Sequence, residues 1–186
     1  QQIVNDLEAM GKKPAAWVYE MLSKGFTSFY KLENGKKYYY DIPSKSYLEV
    51  DSQKEMVLLS NFSTDTIIWK NKGTTIKDIG DGVINLEFHT KMNTIGSEVL
   101  QGMHKAIDIA ESGYKGLIIS NEGQNFSAGA NVGMIFMMAA DQEYDELNFA
   151  IKSFQDAIMR VRYSAIPVIV APHNLTLGGG CEMCLH

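Results

Sequence analysis

From Thr75 onward, short apolar runs alternate with longer stretches in which apolar residues recur every three or four positions. Ile166 to Ala171 is a β-branched run bounded by prolines, which predicts a strand buried on both faces of a parallel sheet. Leu117 to Ser120 predicts another buried strand. Gly96 to Ser112 carries Val99, Met103, Ala106, Ile107 and Ala110 at helical spacing, so an amphipathic helix should lie on the sheet and end at Gly113. A longer helix is predicted from Tyr144 to Arg162, and a short one from Gly180. Thr75 to Ile79 and Val83 to Phe88 read as strands joined across Gly80-Asp81-Gly82, a hairpin signal. Alternating strands and helices predict an α/β domain with right-handed crossovers.

The first 70 residues follow a different pattern. Residues 1 to 25 predict two short helices, the second running from Pro14 to Gly25 with Trp17, Met21 and Leu22 on one face. Two strand-like runs, Phe29 to Leu32 and Lys37 to Asp41, flank Asn34-Gly35, the pair favoured in tight hairpin turns. The run Tyr38-Tyr39-Tyr40 lacks clustered Lys or Arg, so rings packed on the preceding helix are favoured over a base-stacking platform. Residues 43 to 73 read as a polar connector holding one apolar cluster, made of Met56 to Leu59 and Ile67 to Trp69. A boundary near residue 70 follows, with a small helix-plus-hairpin segment at 1–70 and the α/β domain at 71–186.

Composition narrows the function classes. With 186 residues, 45% of them hydrophobic and 21% charged, the chain has the make-up of an ordinary globular protein. No apolar run approaches the roughly 20 residues needed to span a bilayer. A net charge of −5 argues against nucleic acid as the main partner. The two cysteines, Cys181 and Cys184, lack a second ligand pair, and two small buried thiols in a reducing compartment are expected rather than zinc or a redox centre. His89, His104 and His173 are scattered, so no metal site is expected. The sequons at Asn61, Asn125 and Asn174 lack a secretory context, and cytoplasm is the expected compartment. The opening Gln1-Gln2-Ile3 carries no initiator Met and is expected to be a cut in a longer chain.

Two stretches suggest chemistry. Gly178-Gly179-Gly180 removes every β-carbon where a strand should turn into a helix, and Glu182 would fall in that helix's first turn. Bare amides beside a carboxylate suit an oxyanion. The Gly-Lys-Ser/Thr of a phosphate loop is absent, and a tight turn without chemistry stays open. A second strand-to-helix turn, Asn121 to Asn131, is similarly rich in small residues, and the two turns could face one carbonyl oxygen between them.

These residues carry a resemblance. Phe126-Ser-Ala-Gly-Ala-Asn-Val132 and Ile166-Pro-Val-Ile-Val-Ala-Pro172 with Leu177-Gly-Gly-Gly-Cys-Glu182 resemble the two signature motifs of the crotonase (enoyl-CoA hydratase/isomerase) superfamily, and the likeness extends upstream through Val83 to Asn93. The resemblance implies a truncated crotonase-like domain of ββα repeats over about residues 75–186. Residues 1–70 resemble the tail and linker of the 3-hydroxyacyl-CoA dehydrogenase part of bifunctional β-oxidation proteins. The chain would then be a fragment of a fatty-acid β-oxidation enzyme that hydrates enoyl-CoA to 3-hydroxyacyl-CoA. Isomerisation, a non-catalytic binding or scaffold domain, and an interaction module in residues 1–70 are the alternatives.

By the same resemblance, the amides of Ala130 and Gly179 form the oxyanion hole, and losing one such donor costs about 3 kcal/mol. Glu182 is one of two water-activating carboxylates, its partner expected beyond His186. Ser127, Ala128, Gly129, Asn131, Gly178 and Gly180 complete the substrate-binding turns. Coenzyme A enters as part of the acyl-CoA substrate. With no Gly-x-Gly-x-x-Gly here, NAD is expected only at a dehydrogenase region upstream. Many family members carry Asp where Asn131 stands. Phe88-His-Thr-Lys91 replaces a common Arg-Pro pair, which leaves Lys91 as a candidate for a phosphate of CoA. Asn125 and His173 receive no role. The fragment alone is expected to be inactive and to self-associate through an uncovered edge at Val168 to Ala171, with a homo-oligomer as the natural state.

Overall fold

The computed structural model describes residues 2–33, 36–50 and 57–186, and the chain divides into two units at residues 62/63. In the first unit, helices α1 (Gln2–Ala9) and α2 (Ala16–Ser23) precede an antiparallel meander of β1 (Tyr30–Glu33), β2 (Lys36–Asp41) and β3 (Ser46–Glu49). Tyr40 and Tyr47 face each other across β2 and β3. The ring of Tyr40 stacks on Trp17 of α2 at 6.4 Å, and Phe26 meets Tyr40 and Tyr47 at 5.3 and 5.2 Å. Of the three tyrosines in the run, Tyr40 therefore packs on the helix, as expected, whereas Tyr39 is exposed.

Two details of this unit differ from expectation. The buried residues of α2 are Val18 and Met21, with Trp17 and Leu22 only half-buried. Strand β3 falls in what reads as connector, because a four-residue strand with one inward aromatic has too short a pattern to register. Asn34, Gly35 and Met56 lie outside the described residues.

In the second unit, alternation and helical spacing meet on one core. Its strands are β4 (Ile67–Lys70), β5 (Thr74–Asp78), β6 (Val83–Phe88), β7 (Gly116–Ser120) and β8 (Val168–Val170), in that order across the sheet. The first three run antiparallel, and β6, β7 and β8 run parallel. Helix α3 (Ser97–Glu111) covers one face and packs on α5 (Tyr144–Arg162), whose bounds are those expected. Ile84, Leu86 and Phe88 of β6 meet Val99, Met103, Ala106, Ile107 and Ala110 of α3, all at most 2% exposed. Complete burial of each large side chain stabilises by about 1.5–3 kcal/mol.

Three corrections concern this unit. Ile67 to Trp69 are not connector, for β4 pairs with β5 and Trp69 packs against the core. The predicted strand at Ile166 to Ala171 shortens to β8 and is not buried on both faces: Val168 and Val170 pack against the core, but Ile169, pointing the other way, is 61% exposed. It is an edge strand with one face covered. Met134, Met137 and Met138, expected as core filler rather than as a lining for an acyl chain, lie on helix α4 (Val132–Ala140), which buries none of its residues and leaves Met134 and Met137 exposed. An all-apolar helix has no polar stripe to indicate which side is covered. Among the described residues, no helix is long and apolar enough to cross a membrane.

Candidate active site

The first turn leaves β7 and is built by short polar side chains bonding to backbone. Asn121 accepts from the Gly123 amide at 3.0 Å and donates to the Phe126 carbonyl at 2.9 Å. Ser127 is fully buried; its Oγ donates to the Asn93 carbonyl at 2.7 Å and accepts from the Gly129 amide at 3.0 Å. That hydroxyl belongs to the turn's interior, so Ser127 offers a ligand no side-chain surface. Gly129 takes φ 81°, which a β-carbon disfavours. Its carbonyl accepts from the Ile95 amide at 2.9 Å. A carbonyl and the next amide lie in one plane and point oppositely, so this bond aims the Ala130 N–H away from Ile95. Half-buried Ala128 donates its amide to the Met92 carbonyl at 3.2 Å, and exposed Asn131 caps α4 by accepting from the Met134 amide at 3.2 Å.

The second turn, from β8 into α6 (Gly179–Leu185), lies alongside the first. Phe126 and Ser127 donate to the carbonyls of His173 and Leu175 at 3.1 and 3.2 Å, and Leu177 donates back to Ser127 at 2.9 Å. The side chains of His173 and Asn174 donate to the Gly123 and Gln124 carbonyls at 2.8 and 2.7 Å. Asn125 Oδ1 accepts from the Leu175 amide at 3.4 Å, so Asn125 and His173, given no role above, both tie the turns together. A β-carbon on Gly129 would stand 2.7 Å from the Leu177 carbonyl oxygen and 3.3 Å from the Gly179 nitrogen; one on Gly180 would stand 2.7 Å from Ser127 Cβ. The backbones touch, which explains the glycines.

Exposed Gly178 accepts from the Glu182 amide at 3.0 Å, and this aims the Gly179 N–H as Ile95 aims that of Ala130. Among the described residues, no acceptor meets the amide of Ala130 or of Gly179. Two unpaired donors on adjoining turns are what a developing oxyanion requires. Glu182 stands exposed in the first turn of α6, and no donor among the described residues reaches its carboxylate.

The surroundings place the remaining candidates. Lys91 is exposed on a 3-10 turn, Lys91–Asn93. Cys181 and Cys184 are free and exposed, not buried as expected, because only Gly179, Gly180 and Met183 of α6 face inward. Partial burial, then the neighbouring Cys181, push the Cys184 thiol up. No metal-binding cluster occurs among the described residues. A groove of about 350 Å³ lined by Val161, Ile166, Val168, Met183 and His186 includes none of the turn residues above. Arg160 of α5 grips Glu111 of α3 through two bonds of 2.8 and 2.6 Å, and Glu111 also accepts from the Ala165 amide at 2.8 Å, just before β8. Arg160 holds the Glu111 carboxyl down to about 2.

The sequence reading missed Asn93, whose side chain donates to Asn121 Oδ1 and the Asn125 carbonyl at 2.9 and 3.0 Å. It also missed Phe154, half-buried on α5 against Gly179. An Asn just before a helix was the available signal for Asn93, since Asn readily adopts positive φ; nothing local marks Phe154.

The sequence profile of the enoyl-CoA hydratase/isomerase family matches residues 78–186. The whole chain is 43% identical to part of a Bacillus subtilis protein named "Probable 3-hydroxyacyl-CoA dehydrogenase", covering 23% of it. It is 29% identical to the "Fatty acid oxidation complex subunit alpha" of Psychrobacter cryohalolentis, over 64% of this chain and 17% of that one. The chain therefore spans under a quarter of the length of these curated relatives. Among solved structures, an enoyl-CoA hydratase from Polaromonas sp. JS666 superposes with a TM-score of 0.56 at 21% identity, covering 60% of this chain and 44% of that one. One from Bacillus halodurans gives 0.56 at 17% identity, covering 61% and 47%. These likenesses establish the crotonase fold for the second unit.

Proposed function

The chain belongs to the enoyl-CoA hydratase/isomerase family, and from that premise we propose that its second unit binds acyl-CoA with the thioester oxygen between the Ala130 and Gly179 amides. The single observation that carries this reading is the pair of acceptor-free amides on adjoining turns, each directed by a bond to the carbonyl sharing its peptide plane. Both donors stabilise the enolate-like charge that develops as water adds across the C2–C3 bond of an enoyl-CoA. Glu182 acts on that water as one of two carboxylates, giving 3-hydroxyacyl-CoA.

The protein containing this chain is proposed to be a β-oxidation enzyme with a 3-hydroxyacyl-CoA dehydrogenase region that uses NAD, working in the cytoplasm as a homo-oligomer. The names of its relatives support the β-oxidation setting. Coenzyme A enters only as part of the substrate.

Calorimetry on the intact protein should show acyl-CoA binding. Glu182→Gln should keep that binding and lower enoyl-CoA hydration by about 10²- to 10⁴-fold, the usual worth of a positioned acid–base group. Absence of binding at millimolar acyl-CoA rejects the reading. Binding with wild-type turnover in Glu182→Gln removes Glu182 from the chemistry.

A further inference from the structure

We propose that Asn93 is the positioning residue of the first amide: it holds the 92–95 segment in the one conformation that aims the Ala130 N–H. The proposal rests on the oxyanion reading above and names how that site is kept in register.

Three bonds from this segment run along the first turn. The Met92 carbonyl accepts from the Ala128 amide at 3.2 Å, the Asn93 carbonyl from Ser127 Oγ at 2.7 Å, and the Ile95 amide donates to the Gly129 carbonyl at 2.9 Å. The last directs Ala130, because the Gly129 C=O and the Ala130 N–H belong to one planar peptide. For all three to form together, the segment must bend sharply, and Met92 and Asn93 take φ 55° and 50°. Asn tolerates such a conformation, but Met92 holds it only when its surroundings over-determine it.

The Asn93 side chain supplies that hold. It is 6% exposed, and its Nδ2 donates both to Asn121 Oδ1 and to the Asn125 carbonyl, at 2.9 and 3.0 Å. A β-carbon on Gly123 would stand 2.6 Å from that nitrogen, so the amide group is enclosed. Asn93 thus grips the 121–125 loop with its side chain and the 127–129 turn through its carbonyl. Asp fits the same space but has no hydrogen to donate when ionised, and it would set oxygen against both acceptors. Ser127→Ala is the milder cut, removing only the hydroxyl that joins the Asn93 carbonyl to the Gly129 amide.

The test uses the intact protein with Asn93→Asp and Ser127→Ala, each checked for folding by circular dichroism. The readouts are kcat and KM for enoyl-CoA, and the infrared stretch of the thioester carbonyl in a bound saturated acyl-CoA. A misaimed donor should lower kcat by roughly 10²-fold in a folded variant with KM little changed, since the lost interaction is made mainly in the transition state. The stretch, lowered by the donors in the wild type, should return towards its free-solution value. If Asn93→Asp does not fold, Ser127→Ala decides the matter alone. A folded variant that retains the wild-type stretch overturns the proposal, even if kcat falls, because the residue would then be merely structural. A wild-type stretch equal to that of free acyl-CoA overturns the oxyanion reading itself, and this proposal with it.

Discussion

The ring of Phe154 occupies the space that a side chain on Gly179 would need: a β-carbon there would stand 2.8 Å from Cζ and 3.0 Å from Cε2. The middle glycine of the second turn is thus dictated by a helix 25 residues earlier. Helix α5 acts as a wall that keeps the Gly179 peptide where it is.

Gly179→Ala should therefore destabilise the second unit by about 1–3 kcal/mol through overpacking. Phe154→Leu in the same chain should recover part of that loss, with a coupling of about 0.5–3 kcal/mol in a double-mutant cycle. Gly113→Ala is the control, since a β-carbon there meets nothing among the described residues within 4 Å. Thermal denaturation of the four combinations and the control checks the pair; additive losses would disconnect Phe154 from Gly179.

Acid should undo the α3–α5 clamp in a defined window. Arg160 lowers the Glu111 carboxyl from 4.5 to about 2 in the folded chain. Above pH 4.5 the carboxylate is charged in both folded and unfolded chains and the stabilisation is complete. As pH falls towards about 2 the unfolded chain binds the proton first, and the stabilisation disappears. Urea midpoints of wild type and Glu111→Gln should differ at pH 7 and converge as pH falls through this window. A gap that persists at pH 2 would assign the loss in Glu111→Gln to packing.

Burial separates two methionine-bearing helices. Met103→Ala on α3, where the side chain is fully buried, should cost about 2–5 kcal/mol. Phe136→Ser on α4, where the ring is 72% exposed, should change stability by under about 0.5 kcal/mol. Chemical denaturation of the two variants gives the comparison, and equal losses would show that α4 is covered in solution.

Asn85 of β6 is 1% exposed, accepts from Ser120 Oγ at 2.6 Å, and its Nδ2 meets no partner among the described residues. Ser120→Ala should cost about 1–3 kcal/mol by leaving both ends of that amide unpaired. Replacing both residues, as Asn85→Leu with Ser120→Ala, should return stability to the wild-type value or above it. A double variant weaker than either single change would mean that Asn85 holds β6 in place by more than these two bonds.

How much of this was legible beforehand differs from element to element. The buried face of α3, the bounds of α5 and the β5–β6 hairpin could be read directly, because helical and strand periods are local and each repeats often enough to register. The two glycine turns were readable too, since the absence of side chains at successive positions is itself a local signal. Tertiary structure alone decided that Ile67–Lys70 joins the sheet, that Ile169 faces outward and that α4 stays uncovered. It alone brought Asn93 to Asn121 and Phe154 to Gly179. Periodicity shows which face of an element seeks cover, but the cover comes from residues tens of positions away. A side chain such as Asn93, with no repeat of its own, becomes meaningful only when folding places its two acceptors within 3.0 Å.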